Sequence, residues 1–301
     1  MGSRKPRTPS PPADPDSDRP AAVTPAAPAV THQVLLDRRR GVVTKRFRSW
    51  HRGEAAREWR ALCLLAEHAP GLAAEPLRAW LDVSPPAIEM SWLPGQPLGA
   101  PLSASQTDAL AVALDRLWDS VPAARQRTPG TPVPNPVMLA GMVREMMRDA
   151  APLCGRPDLD PLARRAYAAG TAWLGRGRLD RVLNPGDDVV LGQGDANLAN
   201  FLWDGQRVRL VDFEDSGPSE RAFELAVLAE HISVRLDGGL DAEAFVDRFG
   251  LPTAVTARLG EYRRLSALFW LIMLLPGGKA SGRNPPGTLH RQADRLLRLL
   301  G

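Results

Sequence analysis

The stretch Leu191-Gly192-Gln193-Gly194-Asp195-Ala196-Asn197-Leu198-Ala199-Asn200 places an amide five positions after a carboxylate, in polar sequence that follows a short apolar run. A second apolar run begins at Phe201 and contains Asp204-Gly205, a dipeptide typical of hairpin turns. It ends in Val211-Asp212-Phe213-Glu214-Asp215. The segment therefore predicts a β-hairpin with polar side chains at both of its open ends.

Three polar side chains converge if this hairpin forms. With Asp204-Gly205 as a two-residue turn, antiparallel pairing sets Asn197 opposite Asp212 and leaves Asn200 a few residues away. Asp212 ends an apolar strand, where an unpaired carboxylate would be costly. A divalent cation removes that cost, because carboxylate and amide oxygens are ligands that Mg²⁺ accepts beside water and phosphate.

We therefore predict that Asn200 and Asp212 hold magnesium and that Asp195 stays free for proton chemistry. A purely structural alternative exists for all three side chains. In that interpretation Asp195 caps a turn, Asn200 satisfies loop backbone and Asp212 caps the next helix.

Lysine is rare in this chain. Only Lys5, Lys45 and Lys279 occur among 38 basic residues. Lys45 lies in the β-rich run Val42-Val43-Thr44-Lys45-Arg46-Phe47, where a compact ammonium can approach phosphate oxygens. Glu58 on the helix predicted over residues 54–66 is its expected partner, in preference to Glu54. The alternative is an edge-strand lysine that reaches water.

The rest of the chain divides into a tail and two lobes. Residues 1–30 are rich in Pro and Ala and nearly lack large apolar side chains, so we expect a disordered tail. An N-terminal lobe over 31–96 carries strands at 33–36, 42–47, 77–83 and 87–92 and ends at the breaker Leu93-Pro94-Gly95. A mainly helical lobe follows over 97–301. Its predicted helices span residues 104–120, 137–151, 161–173, 221–234, 242–249, 258–275 and 289–300.

Composition favours a globular enzyme over other classes. The 301 residues are 44% hydrophobic and can bury a sizeable core. The net charge is only +4, and the basic residues are interleaved with acidic ones along the chain. We therefore expect no nucleic-acid partner. The two cysteines form no metal-binding motif. Neither a signal sequence nor a membrane span is indicated, so we expect a cytoplasmic protein without a membrane partner.

The hairpin motifs resemble those of the aminoglycoside phosphotransferase and choline kinase family, over residues 31 to about 300. Gln193-Gly194-Asp195 followed by Asn200 is similar to the family's His-Gly-Asp-x-x-x-x-Asn loop, and Val211-Asp212-Phe213-Glu214 is similar to its Ile-Asp-Phe-Glu segment. The resemblance implies an α+β, protein-kinase-like, two-lobed fold. A small antiparallel sheet with one helix would form the N-terminal lobe, and the larger helical lobe would carry a catalytic β-hairpin.

The resemblance also implies an ATP- and Mg²⁺-dependent phosphotransferase acting on a hydroxyl of a small molecule, such as an aminoglycoside, an amino-alcohol or another metabolite. Asp195 would orient the hydroxyl and accept its proton, and Asn200 and Asp212 would hold magnesium. Lys45, paired with Glu58, would bind the ATP phosphates. Backbone groups of Ser91 and Leu93 would contact adenine.

Three departures from the family pattern stand out. Gln193 replaces the usual His, Asn197 stands where a second His is common, and no glycine-rich loop precedes Lys45. We expect the first two to alter packing, and the turn at residues 38–41 to cover the phosphates by other contacts.

Two other functions fit parts of the sequence. One is a catalytically silent pseudokinase that binds nucleotide and regulates a partner, and the other is a basic nucleic-acid-binding protein. Acidic residues after the hairpin fit either a pocket for a cationic acceptor or, for several of them, helix N-terminal capping; they are Glu214, Asp215, Glu220, Glu224 and Glu230. We expect His231 and the tryptophans, including Trp270, to serve in packing.

Overall fold

The structure, a computed structural model, describes residues 32–99, 101–122, 125, 135–183, 189–235 and 240–301. The disordered tail predicted over residues 1–30 lies outside this part of the chain. None of the described helices combines the length and apolar character needed to cross a membrane.

An antiparallel sheet and one helix form the N-terminal lobe. The strands are β1 His32–Asp37, β2 Val42–Phe47, β3 Pro76–Trp80 and β4 Ala87–Ser91, in the order β1-β2-β4-β3, and helix α1 spans Glu54–His68. Asp37 closes the β1–β2 turn, because its Oδ1 accepts hydrogen bonds from the backbone N–H groups of Arg39 and Arg40 at 3.0 and 3.1 Å. The predicted strands and helix are all present, with ends that differ by at most three residues.

Helices dominate the C-terminal lobe, and several begin where the sequence supplies a cap. They are α2 Ala104–Ser120, α3 Pro136–Cys154, α4 Pro161–Gly175, α5 Arg221–Glu230, α6 Ile232–Arg235, α7 Ala242–Asp247, α8 Thr253–Leu274 and α9 Thr288–Leu300. Ser103 and Gln106 form a capping box at α2. Asn135 and Asp160 accept backbone N–H groups at the starts of α3 and α4, each followed by proline at the first helical position.

Short strands interrupt the helices and carry the predicted hairpin. They are β5 Gln96–Pro97, β6 Val189–Gly192, β7 Phe201–Trp203, β8 Val208–Leu210 and β9 Gly217–Glu220, with β5-β7-β8 in one sheet and β6-β9 in another. β7 and β8 pair with Phe201 opposite Leu210, so the connection comprises residues 204–207. The predicted two-residue turn is wrong, because the Asp204 carboxylate accepts the N–H groups of Gln206 and Arg207 and closes a longer loop.

The longer loop shifts the predicted pairing by two positions. Val211 N–H donates to the carbonyl of Asn200 at 3.0 Å, so Asn200 lies beside the residue before Asp212. Asn197 caps the 3₁₀ turn Leu198–Asn200 and does not stand opposite Asp212.

The helix predicted over residues 221–234 is broken at His231, which has an extended backbone with φ −61° and ψ 138°. The break brings Ser233 next to the loop that follows Asp195, where the Ser233 hydroxyl accepts the N–H of Leu198 at 3.0 Å. Sequence periodicity alone gives no sign of this hydrogen bond, because it joins residues 35 positions apart.

Helix α8 is the centre of the helical lobe and packs against α3, α4, α5 and α9. A buried ion cluster fastens α5 to α8 and α9. The carboxylate of Glu230 is fully buried and accepts hydrogen bonds from Nε of Arg263 at 2.8 Å and Nε of Arg295 at 2.9 Å. The two guanidinium groups compensate a charge that would otherwise be costly to bury.

We expect Arg263→Met to lower the free energy of unfolding by about 2–3 kcal/mol, because Glu230 would keep only one of its two cationic partners. Arg298→Met is the matched control, since Arg298 pairs with Asp294 on the surface. It should change stability by less than about 0.5 kcal/mol. Chemical denaturation of both variants checks the prediction, and equal losses of stability would contradict it.

Candidate active site

The ammonium of Lys45 joins the two lobes. Lys45 lies on β2 and is 3% exposed, and its Nζ is 2.6 Å from Glu58 Oε2 on α1. The same nitrogen is 2.5 Å from Asp212 Oδ1 and 3.0 Å from Glu214 Oε2, both beyond β8. Glu54 takes no part, since its carboxylate accepts a hydrogen bond from Nε of Arg52 at 3.1 Å.

The carboxylates keep this buried ammonium charged. Burial alone would lower the pKa of Lys45, but the negative charges of Glu58, Asp212 and Glu214 together raise it above the ordinary value. Burial would likewise raise the pKa of Glu214. The hydrogen bond from His32 and the charge of Lys45 outweigh that effect and lower the pKa of Glu214 to about 2.

Asp212 has an unusual backbone. Its φ of 66° makes it the one non-glycine residue with positive φ among the described residues. Aspartate tolerates this left-handed conformation better than most residues, but at some cost in free energy. The ion pair with Lys45 and the adjoining hairpin hold it there. Strain of this kind is concentrated at sites of binding and catalysis.

Asp195 and Asn200 are joined directly. The side-chain amide of Asn200 donates to Asp195 Oδ2 at 3.1 Å, and the backbone N–H of Asn197 donates to Asp195 Oδ1 at 3.1 Å. Burial raises the pKa of the Asp195 carboxyl, although both hydrogen bonds oppose the shift. The side chain is still 44% exposed, so the carboxylate can meet a ligand.

The residues before Asp195 lock its loop against the rest of the site. Gln193 is buried, and its side-chain amide donates to the carbonyl of Val211 at 2.7 Å, directly before Asp212. Its backbone N–H donates to Glu224 Oε2 at 3.2 Å. A Cβ atom on Gly194, where φ is 84°, would stand 2.2 Å from the carbonyl oxygen of Asp215. Only glycine allows that approach.

A cavity of about 350 Å³ separates the N-terminal sheet from the hairpin, and we name it the interlobe cavity. Its walls include Val34, Val43, Ala74, Met90, Ser91, Leu93, Leu202 and Val211, and its polar end holds Lys45, Glu58, Asn200 and Asp212. An apolar slot that ends in a cation and oxygen ligands matches a nucleotide, with its flat base and charged phosphates.

The interlobe cavity also holds the two residues predicted to contact adenine. The N–H of Ser91 donates to the carbonyl of Glu75 at 2.9 Å. The N–H of Ser91 is therefore already paired within the sheet.

A second cavity, of about 260 Å³, lies on the other side of Asp195, and we name it the Asp195 cavity. Its walls are Leu139, Met142, Gly194, Asp195, Ala196, Asp215, Phe223, Glu224, Val227, His231, Ser266, Phe269 and Trp270. Since Asn200 lines the interlobe cavity, its hydrogen bond to Asp195 links the two cavities.

Sequence reasoning missed the roles of His231 and Trp270, which lie in the wall of the Asp195 cavity. His231 Nε2 is 3.9 Å from Asp195 Oδ1, and the imidazole meets the Trp270 ring edge-on. Burial lowers the pKa of His231 to about 4, so the ring is neutral near pH 7. A break in the helix at His231 accompanies the position of its side chain in the cavity wall. The apolar periodicity of the sequence continues through residue 234, so periodicity shows no sign of that break.

The predicted acidic pocket is only partly correct. Asp215 and Glu224 line the Asp195 cavity, whereas Glu214 pairs with Lys45. Glu220 accepts hydrogen bonds from Arg258 and Tyr262, and Glu230 is enclosed by arginines. Ion pairing inside the fold, which the sequence does not reveal, accounts for these acids.

The oxygen donors fit a magnesium ion. Asn200 turns its amide nitrogen to Asp195, which leaves its amide oxygen as the donor for a cation, and Asp212 supplies a carboxylate at the same end of the interlobe cavity. Both are hard oxygen ligands. His32, Asp212 and Glu214 also offer ligand atoms within 4.8 Å of one another. Lys45 already lies between two of these three groups.

A family model described as the phosphotransferase enzyme family matches residues 29–268. None of the curated proteins matches the chain significantly.

Three crystal structures illustrate the likeness in fold. A choline/ethanolamine kinase family protein from Mesorhizobium loti is 15% identical, with 90% of this chain and 85% of that chain covered and a TM-score of 0.53. A choline kinase from Streptococcus pneumoniae is 13% identical, with 90% and 89% covered and a TM-score of 0.55. A spectinomycin phosphotransferase, solved with ADP and spectinomycin, is 14% identical, with 85% and 81% covered and a TM-score of 0.53. The predicted α+β, protein-kinase-like fold is thereby confirmed.

We expect Gly194→Ala to destabilise the protein by about 2 kcal/mol or more, because the new methyl group collides with the backbone of Asp215. Gly177→Ala is the control, since Gly177 has a similar φ of 65° but no atom within 4 Å of the added Cβ. That variant should lose only about 1 kcal/mol, from backbone strain. Thermal unfolding of both variants distinguishes collision from strain, and equal shifts would refute the close approach.

Proposed function

Because the chain belongs to the phosphotransferase enzyme family, we propose that this small-molecule kinase transfers the γ-phosphoryl group of ATP to a hydroxyl of its acceptor, with the help of Mg²⁺. The observation that carries the proposal is the hydrogen bond between Asp195 and Asn200, which joins an acceptor-sized cavity to a nucleotide-sized cavity. Residues 31–96 would supply the nucleotide-binding lobe, and residues 97–301 the catalytic and substrate-binding lobe.

The nucleotide would occupy the interlobe cavity. Adenine would lie among its apolar walls and contact the backbone of Ser91 and Leu93. The ammonium of Lys45 would donate to the phosphate oxygens, held in place by Glu58. Asn200 and Asp212 would hold magnesium, which neutralises developing charge on the phosphates when it is bound. ADP in the related spectinomycin phosphotransferase supports ATP as the donor.

Lys45 must exchange part of its ion pairing when the nucleotide binds. In the structure its Nζ lies 2.5 Å from Asp212 Oδ1. If Asp212 held the metal ion, its carboxylate would pair less with Lys45, and the ammonium would then be available to the phosphates. Glu58 and Glu214 would continue to hold the ammonium during this exchange.

Asp195 would act on the acceptor. A hydroxyl bound in the Asp195 cavity would donate to the Asp195 carboxylate, which accepts the proton as the oxygen bonds to the γ-phosphorus and the bond to ADP breaks. The hydrogen bonds from Asn197 and Asn200 fix the orientation of the carboxylate. Positioning and charge neutralisation provide most of the catalysis in this class of reaction.

The phosphates require a cover other than a glycine-rich loop. The β1–β2 turn carries Arg38, Arg39 and Arg40, and Arg40 is engaged by Glu89 at 3.3 Å. Arg38 and Arg39 are exposed, and they directly follow β1, whose residues His32 and Val34 line the interlobe cavity. We propose that their guanidinium groups replace the backbone contacts of a glycine-rich loop.

The acceptor would be a hydroxylated small molecule, of the aminoglycoside-like, amino-alcohol or metabolite class predicted from the sequence. Asp215 and Glu224 lie in the cavity wall beside Asp195, where an amino group of the acceptor would compete with the partners that these acids already have in the protein. A panel of aminoglycosides, amino-alcohols and sugars, assayed for ADP release with and without Mg²⁺, would identify the productive class.

We expect Asp195→Ala to lower phosphoryl transfer to the best acceptor of that panel by about 10²–10⁴-fold, because the proton acceptor is lost. Stabilisation of the protein by ATP and Mg²⁺ should persist, since Asp195 lies outside the interlobe cavity. Asp180→Ala, at an exposed carboxylate paired with Arg144, is the control and should leave turnover unchanged. Unchanged turnover in Asp195→Ala would remove Asp195 from the mechanism.

A further inference from the structure

A third cavity, of about 490 Å³, lies between helices α3 and α8, and we name it the α3–α8 cavity. Its interior is apolar, with walls that include Met146, Ala150, Leu153, Ile272 and Met273. Asp149 and Lys279 are the charged side chains in its lining, and both are exposed. The cavity therefore has a charged rim and an interior suited to hydrocarbon.

The α3–α8 cavity adjoins the Asp195 cavity. Met142 on α3 and Phe269 on α8 line both of them. The two spaces are therefore adjacent, and these two side chains form part of the wall of each. Methionine has three rotatable bonds and adapts its shape readily, so Met142 can yield to a ligand that extends from one cavity into the other.

Methionine is concentrated at this place. Four of the seven methionines of the chain, Met138, Met142, Met146 and Met147, belong to α3. Met138 and Met142 are 37% and 41% exposed, although apolar side chains of this size are usually buried. Exposed methionine beside an apolar cavity is typical of surfaces that bind varied hydrophobic ligands.

The acids of the Asp195 cavity are already engaged by the protein. Glu224 accepts hydrogen bonds from the Ser219 hydroxyl at 2.6 Å and from the backbone N–H of Gln193 at 3.2 Å. Asp215 Oδ1 lies 3.2 Å from an Arg52 nitrogen. Apolar and aromatic side chains supply most of the remaining wall. The pocket is therefore better suited to an acceptor with a large apolar part than to a polycation.

We propose that the acceptor is an amphipathic alcohol. Its hydroxyl would lie at Asp195 and its apolar part would extend past Met142 and Phe269 into the α3–α8 cavity. This inference rests on the proposed function and specifies the substrate class of the same site. The walls that the two cavities share, at Met142 and Phe269, favour one molecule that spans both.

Binding of alkyl β-glucosides to the full-length protein tests the proposal, with methyl, hexyl and octyl chains used below their micelle concentrations. Calorimetry should show that affinity rises about three- to fourfold for each added methylene that the cavity buries. Ala150→Trp, which fills the α3–α8 cavity alone, should abolish the dependence on chain length. Ala151→Trp is the matched control, since Ala151 is the exposed neighbour on the same helix.

Val227→Trp decides whether one ligand spans both cavities, because Val227 lines only the Asp195 cavity. It should weaken octyl glucoside binding at least fivefold. Unchanged binding in that variant would mean that the α3–α8 cavity binds apolar molecules independently, and the proposal would be overturned. Absence of octyl glucoside binding, or a chain-length dependence that persists in Ala150→Trp, would also overturn it.

These binding results are independent of catalysis. Failure of the glucoside tests, with stabilisation by ATP and Mg²⁺ intact, rejects the amphipathic acceptor and leaves the proposed function standing. Failure of every acceptor in the ADP-release panel would instead reject the proposed function.

Discussion

The buried ammonium of Lys45 is the constraint on which the arrangement of the site depends. A lysine that is 3% exposed is tolerable only beside compensating negative charge, and Glu58, Asp212 and Glu214 provide it from two lobes. The fold must therefore bring β2, α1 and the end of the hairpin to one point. We propose that the phosphates of a nucleotide and its metal ion bind at the same point, so the interaction that closes the fold would also prepare the site.

The hairpin connects the position of Asp212 to that of Asp195, in the wall of the second cavity. The pairing of Asn200 with Val211 fixes the amide next to Asp212, and the amide in turn fixes the Asp195 carboxylate. Gln193 adds a second link, from the loop before Asp195 to the carbonyl before Asp212. Its side-chain amide supplies an N–H donor where the family pattern has histidine. The buried hydrogen bond from Gln193 to the backbone is in keeping with the predicted role in packing.

Much of the fold was predictable, because it depends on local patterns. Helix α2 begins and ends at the residues predicted from the sequence, and the N-terminal strands follow their β-rich runs. The predicted hairpin turn was wrong, because the Asp204 side chain stabilises a longer loop. The break at His231 and the partners of Glu220 and Glu230 were not predictable, since they depend on contacts between residues far apart in sequence.

The central claim is that a magnesium-nucleotide is held between Asp212 and Lys45. Electron paramagnetic resonance of Mn²⁺, titrated with a non-hydrolysable ATP analogue into the protein, tests it most directly. We expect a protein-bound Mn²⁺-nucleotide complex in the wild type and at least about tenfold weaker Mn²⁺ binding in Asp212→Asn, which keeps the shape of the side chain but removes its charge. Equal Mn²⁺ affinity in the two proteins, with the nucleotide bound in both, would contradict it.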